Sequence, residues 1–298
     1  MSNTLGTVNG AVIVQEALTT ALEIFPILNQ VRHDFSPGAA RWNQTVNFGL
    51  VTAASTGTYS TSTGYASQNQ VQTDKQVTIN THPYCDITID DQERSQSEVE
   101  LIKRFSPVVA HALFKSVVTK LFALVHTANF TNDTQETAIT DIDRDTLIEV
   151  QTQLDDRDCP TMDRYCVLNP AAYGELLKDT SVVSQDYRGE KSVQTGRFGL
   201  PIQGFDVQMY SSIDTSENLK GFAGWRDALL LATRVPESPQ VGTLPGTITT
   251  VTEPRTGLSA QTRQWYDFGL GKERLVCTLM YGVAVGNAEF LETLTTSS

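Results

Sequence analysis

Histidine is scarce in this sequence. Its 298 residues hold four, scattered far apart, which leaves little material for a general base or an imidazole metal site. Cysteine is as rare. Cys85, Cys159, Cys166 and Cys277 show no Cys-x-x-Cys spacing, and none sits at a zinc-like interval from a histidine. That density excludes a disulfide framework and predicts reduced, mostly buried thiols in a cytoplasmic fold. Positive charge is also short: 22 Lys and Arg stand against 34 Asp and Glu, a net charge of -12. A protein that grips phosphates over its whole surface needs the opposite balance, so this one is expected to sit beside nucleic acid without sticking to it.

Long apolar runs are missing as well. The longest uncharged stretch, Trp42 to Thr73, is full of Thr, Ser, Asn and Gln and cannot span a bilayer. The opening Met-Ser-Asn-Thr-Leu-Gly has neither the basic region nor the apolar core of a signal peptide. A soluble chain made in the cytoplasm, with no membrane partner, is expected. The Asn-x-Thr sequons at Asn43, Asn129 and Asn132 then read as chance matches.

Catalytic motifs are wanting too. There is no Gly-x-Ser-x-Gly elbow, no Walker loop and no His-Glu-x-x-His. Gly269-Leu270-Gly271-Lys272 lacks the spacing and the Ser/Thr of a phosphate loop. The pairs Asp90/Asp91 and Asp155/Asp156 are adjacent in sequence, whereas a glycosidase holds its two carboxylates about 5–10 Å apart across a cleft. Asp90/Asp91 instead suit the start of a helix, beside the positive end of its dipole. Trp42, Trp225 and Trp265 are not interleaved with basic residues, so no base-stacking platform is indicated. No catalytic, cofactor or metal-binding residue is expected, and the chain reads as a non-enzyme.

What is there is a chain long enough for one large domain or two modest ones. Val14, Leu18, Ala21, Leu22 and Phe25 recur at three- and four-residue steps, a helical stripe that Pro26 ends or bends and Ser36-Pro37-Gly38 closes. Two readings stand equal: an arm whose Leu18, Leu22 and Phe25 dock on a neighbouring subunit, or the first helix of the main core. Thr45–Leu50 and Gln76–Asn80 alternate polar and apolar like half-buried strands. Between them Thr52 to Thr73 is polar and small, with Tyr59 and Tyr65 the large exceptions. A long hairpin that projects from the body, tip received by another chain, accounts for such a segment. Cys85–Asp90 is a further strand. Ser95-Gln96-Ser97-Glu98 fits a capping box opening the strongest element, a helix carrying Ile102, Phe105, Val109, Leu113, Val117, Leu121 and Leu124 and reaching as far as Phe130, which Pro107 should kink or split.

Residues 131–240 read as an α/β unit. It has a helix over 144–154 opened by Asp141 or Asp143, a buried strand at Tyr165–Leu168, and a helix capped by Asn169 with Pro170 in first position. A polar loop over 180–196 precedes strands near 205–209, 221–224 and 228–232. Residues 246–294 are β-rich, with strands at 247–252, 263–268 and a single long one at 274–285.

This order of elements resembles the major capsid (coat) proteins of tailed bacteriophages, the Hong Kong phage-type fold. Arg164-Tyr165-Cys166-Val167-Leu168-Asn169-Pro170-Ala171-Ala172-Tyr173 resembles that family's strand and Asn-Pro-opened helix. Gly199–Val207 is similar to its loop-Gly-strand segment, and Asp227–Ala232 followed by Arg234 to a late strand of the same unit. Val12–Phe35 and Trp42–Thr58 look closest to the short-tailed phage coat proteins. The resemblance implies an α+β fold with an N-terminal arm (1–40), an extended hairpin loop (41–82), a P-domain strand and spine helix (83–130), an A-domain (131–240) and a P-domain β region (241–298). It implies self-assembly into pentamers and hexamers of an icosahedral shell around double-stranded DNA, formed in the host cytoplasm. It also implies a portal and, because the arm begins at once, a separate scaffolding protein. Maturation would bend or straighten the helix at Pro107. Lys75 sits only at the base of an otherwise uncharged loop, so the lysine crosslink of some members is not expected. An encapsulin-like compartment shell is the nearest alternative, and a β-rich virion adhesion or tail component a more distant one.

Overall fold

A computed structural model of the chain describes residues 10–51, 56–62, 64–65, 72–90, 98–130, 135–183, 198, 201–213, 216–238, 246–254 and 256–296. Ser95–Ser97 of the expected capping box, much of the hairpin tip and residues 184–197 of the expected polar loop lie outside them.

The chain opens with α1 (Gly10–Ile24), the short α2 (Ile27–Gln30), β1 (Arg32–Ala40), the hairpin strands β2 (Thr45–Val51) and β3 (Gln72–Thr78), and β4 (Tyr84–Asp90). Helix α3 (Glu98–Phe122) follows. A mixed unit then contains β5 (Gln135–Glu136), α4 (Arg144–Asp156), β6 (Arg164–Leu168), α5 (Pro170–Leu176), α6 (Thr180–Val183), β7 (Phe205–Met209), β8 (Leu219–Gly224) and β9 (Leu229–Pro236). The chain closes with β10 (Thr247–Thr252), β11 (Ser259–Asp267), β12 (Lys272–Thr278), β13 (Met280–Val285) and β14 (Leu291–Thr295).

The apolar stripe of α1 is used at home. Leu18, Leu22 and Phe25 are 1%, 7% and 5% exposed and lie in the chain's own main core, against α3. Of the two readings of this segment, the docking arm is therefore corrected to a core helix. The physical reason is α3: its Val109, Leu113, Phe114, Val117 and Leu121 form a continuous apolar face that must be covered, and the apolar stripe of α1 packs on it. Residues 32–40 do not stand off as an arm either. β1 pairs in parallel with β9, and the register shifts between Phe35 and Ala39. Ser36-Pro37-Gly38 is thus a bulge inside a strand. Proline cannot donate to a ladder, and an irregularity lets the strand pass it.

α3 runs unbroken through Pro107, which is exposed, so the expected split does not occur. The helix is shorter than the span expected to Phe130: residues beyond Phe122 fold into turns, one held by the Asn129 amide donating to the Leu124 carbonyl at 2.8 Å.

The mixed unit forms around the sheet β5-β14-β8-β6-β7. Every residue of β6 is buried. Tyr165 and Val167 enter the main core, while Cys166 and Leu168 enter a second core with Leu147, Leu154, Leu176 and Phe205. This is the two-residue period of a strand read out on two apolar faces. The caps are as the sequence dictates: Asp143 accepts from the Thr146 N–H, and Asn169 from the Ala172 N–H at 2.8 Å, with Pro170 first in α5. The expected single strand over 274–285 divides at the fully buried Leu279. β12 belongs to the sheet β10-β11-β12-β4 and β13 to the sheet β1-β9-β13. The chain changes sheets there.

Truncating Leu18 to Ala should remove about 2–5 kcal/mol of unfolding free energy from the unassembled chain, measured by denaturant titration. An unchanged midpoint would move the work of Leu18 to a contact between subunits.

Candidate functional site

The candidate site is the β2–β3 hairpin, and its construction starts in β9. Successive residues of that strand face opposite ways. Leu229 and Leu231 point into the main core, whereas Leu230 and Ala232 pack against Phe48 and Val77 of the hairpin. A second small cluster of Ala40, Ile79 and Met280 closes over Val46. The strands pair in register from Thr45↔Thr78 to Val51↔Gln72.

Polar and steric contacts fix the same end. Arg32 donates through Nη1 to Asp227 Oδ2 at 2.8 Å and through Nη2 to the Gly49 carbonyl at 2.9 Å, tying β2 to the turn before β9. Arg234 donates to Asp34 Oδ2 at 2.5 Å and so staples β9 to β1. Gly282 of β13 lies so close to β3 that a Cβ there would come within 2.2 Å of the Thr78 carbonyl oxygen.

Away from this base the burial ends. Gln72 through Gln76 are exposed. Near the tip, Gly64 N–H donates to the Ser60 carbonyl at 2.7 Å, with Gly64 at φ 66°, a conformation that glycine takes without strain. Tyr59 and Tyr65 flank that turn, 56% and 92% exposed, with ring centroids 5.0 Å apart. The structure thus brings Tyr59 and Tyr65 together on the surface and keeps Leu18, Leu22 and Phe25 inside. Pro107 lies on the exposed side of α3.

Sequence reasoning passed over a second exposed tip, the β11–β12 turn. Its signal was the glycine pair in Gly269-Leu270-Gly271-Lys272. The Gly271 N–H donates to the Asp267 carbonyl at 3.0 Å, the Gly269 N–H to Asp267 Oδ1 at 3.0 Å, and Gly271 takes φ 63°. The segment is a hairpin turn, and it holds Phe268 and Leu270 out at 86% and 68% exposure.

Groups that might have carried chemistry are engaged structurally. Asp155 accepts from the buried Arg164 at 2.6 Å. All four cysteines are free; burial pushes the Cys159 thiol up to about 11 and Cys166 up to about 12, and raises Cys277 as well, so these sulfurs stay protonated. Among the described residues no group of three or more His, Cys, Asp or Glu could hold a metal ion, and no helix is long and apolar enough to cross a membrane.

Neither a family model nor a curated protein matches this sequence. Solved structures do, and they define a class: the chain has the tailed-phage capsid fold, mixed α and β. The cyanophage P-SCSP1u capsid superimposes with a TM-score of 0.56 at 14% identity, over 89% of this chain and 86% of that one. The mature capsid of bacteriophage PhiM1 gives 0.55 at 11% identity, over 90% and 86%. The virus-like particle from Pyrococcus furiosus gives 0.52 at 10% identity, over 95% and 97%.

Gly282→Ala should push β3 off β13 at a cost of about 1–3 kcal/mol. Hydrogen exchange would register it as lost protection of amides 45–51 and 72–78, with α3 unchanged.

Proposed function

We propose that this chain is the major wall subunit of a tailed-phage shell. Copies assemble into pentamers and hexamers, and these close into an icosahedral container for double-stranded DNA in the virion. The observation that carries the reading is the asymmetry of the hairpin. Its base is locked into the chain's own cores, while its tip presents two adjacent tyrosines that are 56% and 92% exposed. Tyrosine supplies a large contact area at low conformational cost and is favoured where proteins meet. A second copy of the chain is the receiver, with Phe268 and Leu270 as a further contact. The likeness to the two phage capsids, which spans most of each chain, supports it.

In this reading residues 41–82 form the extended loop, 83–130 the P-domain strand and spine helix with its bend at Pro107, 131–240 the A-domain and 241–298 the P-domain β region. A separate scaffolding protein sets the curvature, a portal occupies one vertex, and assembly takes place in the host cytoplasm. No catalytic step is assigned to the chain.

A second reading, an encapsulin-like compartment, is favoured by the near end-to-end overlap with the Pyrococcus furiosus virus-like particle. The two part on contents, DNA against protein cargo, and neighbouring genes separate them: terminase and portal, or a cargo enzyme.

Electron microscopy of the expressed chain, alone and with its scaffold, should show hollow shells a few hundred ångströms across. The double variant Tyr59→Ala/Tyr65→Ala should keep the thermal melt of the wild type and form at most isolated capsomers. Shells at wild-type yield from that variant would remove the tyrosines from the interface, and a stable wild-type monomer with hydrolytic activity would sink the container reading.

A further inference from the structure

Charge is not spread evenly over this acidic chain. Residues 135–183 carry eleven acidic side chains against four basic ones, and Asp141, Asp145, Glu149, Asp156, Asp158 and Asp163 are exposed. Residues 101–132 hold no Asp or Glu at all, but contain Lys103, Arg104, Lys115 and Lys120. From Leu101 onward, the helix that packs its apolar face into the main core thus carries basic residues and no acidic ones.

The outer side of α3 has a shape as well as a charge. Lys115 and Lys120 are exposed and border a shallow, open basin of about 510 Å³. Ser116 and Thr119 line it from the helix, and Thr81 and Tyr281 from the strands beneath, with no acidic residue among the described residues of the lining. The floor is rigid: Tyr281 donates to the Ser116 carbonyl at 3.0 Å, and Thr81 pairs with Tyr281. His111, one turn before Lys115, is exposed beside it. Among the described residues no carboxylate pairs with Lys115 or Lys120. In a chain with 34 acidic residues, two lysines and a rim of hydroxyls with no acidic partner among the described residues form a surface for phosphate oxygens.

We infer that this face of α3 touches the phosphate backbone of double-stranded DNA and forms part of the inner wall of the shell. The inference rests on the container reading for its biological setting, but not for its test. The contacts are sequence-independent and few. They hold the outermost DNA layer against the wall without anchoring it, because the rest of the surface repels the same phosphates. An acidic polypeptide could meet the same lysines. The hydroxyl-rimmed, carboxylate-free basin and the exposed acids elsewhere favour a partner with regularly spaced single charges that lies across many subunits.

The test is fluorescence anisotropy of a labelled 30-base-pair duplex against the unassembled full-length chain over a salt series. Two phosphate contacts contribute about 1.8 to the slope of log affinity on log salt. Lys115→Glu/Lys120→Glu should flatten the slope by that amount and lower affinity at 50 mM NaCl about tenfold. Lys115→Gln/Lys120→Gln should fall between, and it provides the reading if the Glu pair disturbs folding. Lys178→Glu, in the acidic unit, should bind like the wild type. No wild-type binding at 50 mM NaCl, or an unchanged slope in both double variants, overturns the inference. So does poly-L-glutamate displacing the duplex at equal charge concentration, which would assign the basin to an acidic protein. Shell formation is scored separately by electron microscopy, so its failure sinks the container reading and leaves this result standing.

Discussion

The two-sided burial of β9 is the constraint on which the rest of this structure depends. A run of four apolar residues, Leu229 to Ala232, has no polar face to offer water. The strand must therefore be covered above and below. α1 and α3 help to build the core on one side, and the base of the β2–β3 hairpin covers the other. Burying a leucine side chain is worth about 1.5–3 kcal/mol, so Leu230 alone gives a strong reason for the hairpin root to stay seated. β1 and β13 saturate the two edges of the same strand with hydrogen bonds. With both faces and both edges taken, β9 has one place to be, and the hairpin's direction is set by it.

From this follows the division of labour along the hairpin. Its lower half is ordinary protein interior: Phe48 and Val77 are buried, Gly49 holds Arg32, and Thr78 abuts Gly282. Above it, among the described residues, Gln72 to Gln76 are exposed and Tyr59 and Tyr65 are more than half exposed. Ordering backbone costs about 1–2 kcal/mol per residue, and a two-stranded ribbon without a core is marginal in water. A second copy of the chain would offset that cost while itself contributing an identical hairpin to the next. A closed ring of such exchanges leaves no tip unused, which is why a symmetric oligomer answers this geometry better than a monomer does.

Much of this was legible in the sequence, and the failures have physical causes. The stripe Val14–Phe25 announced a helix, but a stripe shows only that one face must be covered, not by whom; α3 of the same chain supplied the partner. Ser36-Pro37-Gly38 looked like a stop because Pro and Gly punctuate most elements, and a bulge opposite β9 let the strand continue through them. The run 274–285 read as one strand because its residues are mostly apolar, and nothing local marks Leu279 as the point where the partner strands change. Asn169-Pro170 was read correctly, and Asp143 was one of the two candidates for its helix, because capping is decided within four residues. Tyr59 and Tyr65 stood out as the aromatics of a polar segment, whereas Phe268 and Leu270 were hidden by a glycine pair that seemed to matter more.

The uneven charge is consistent with the same economy of surfaces. At a net charge of -12 the chain repels phosphates as a whole, yet repulsion between exposed charges fades within about 10 Å at moderate salt. Within that distance only the local face counts. A helix whose inner side must be apolar has a free choice of residues outside, and here no acid follows Glu100 through the rest of α3. Glu175 pairs with Lys178 and Asp155 with Arg164, whereas among the described residues no carboxylate pairs with Lys115 or Lys120. Surface ion pairs contribute at most about 1 kcal/mol, so stability alone gives little reason either to form or to avoid them. Two lysines with no carboxylate partner among the described residues leave their charge available to something outside the chain, and in the proposed shell a weak attraction repeated over every copy would be strong in total while each contact stays easy to break.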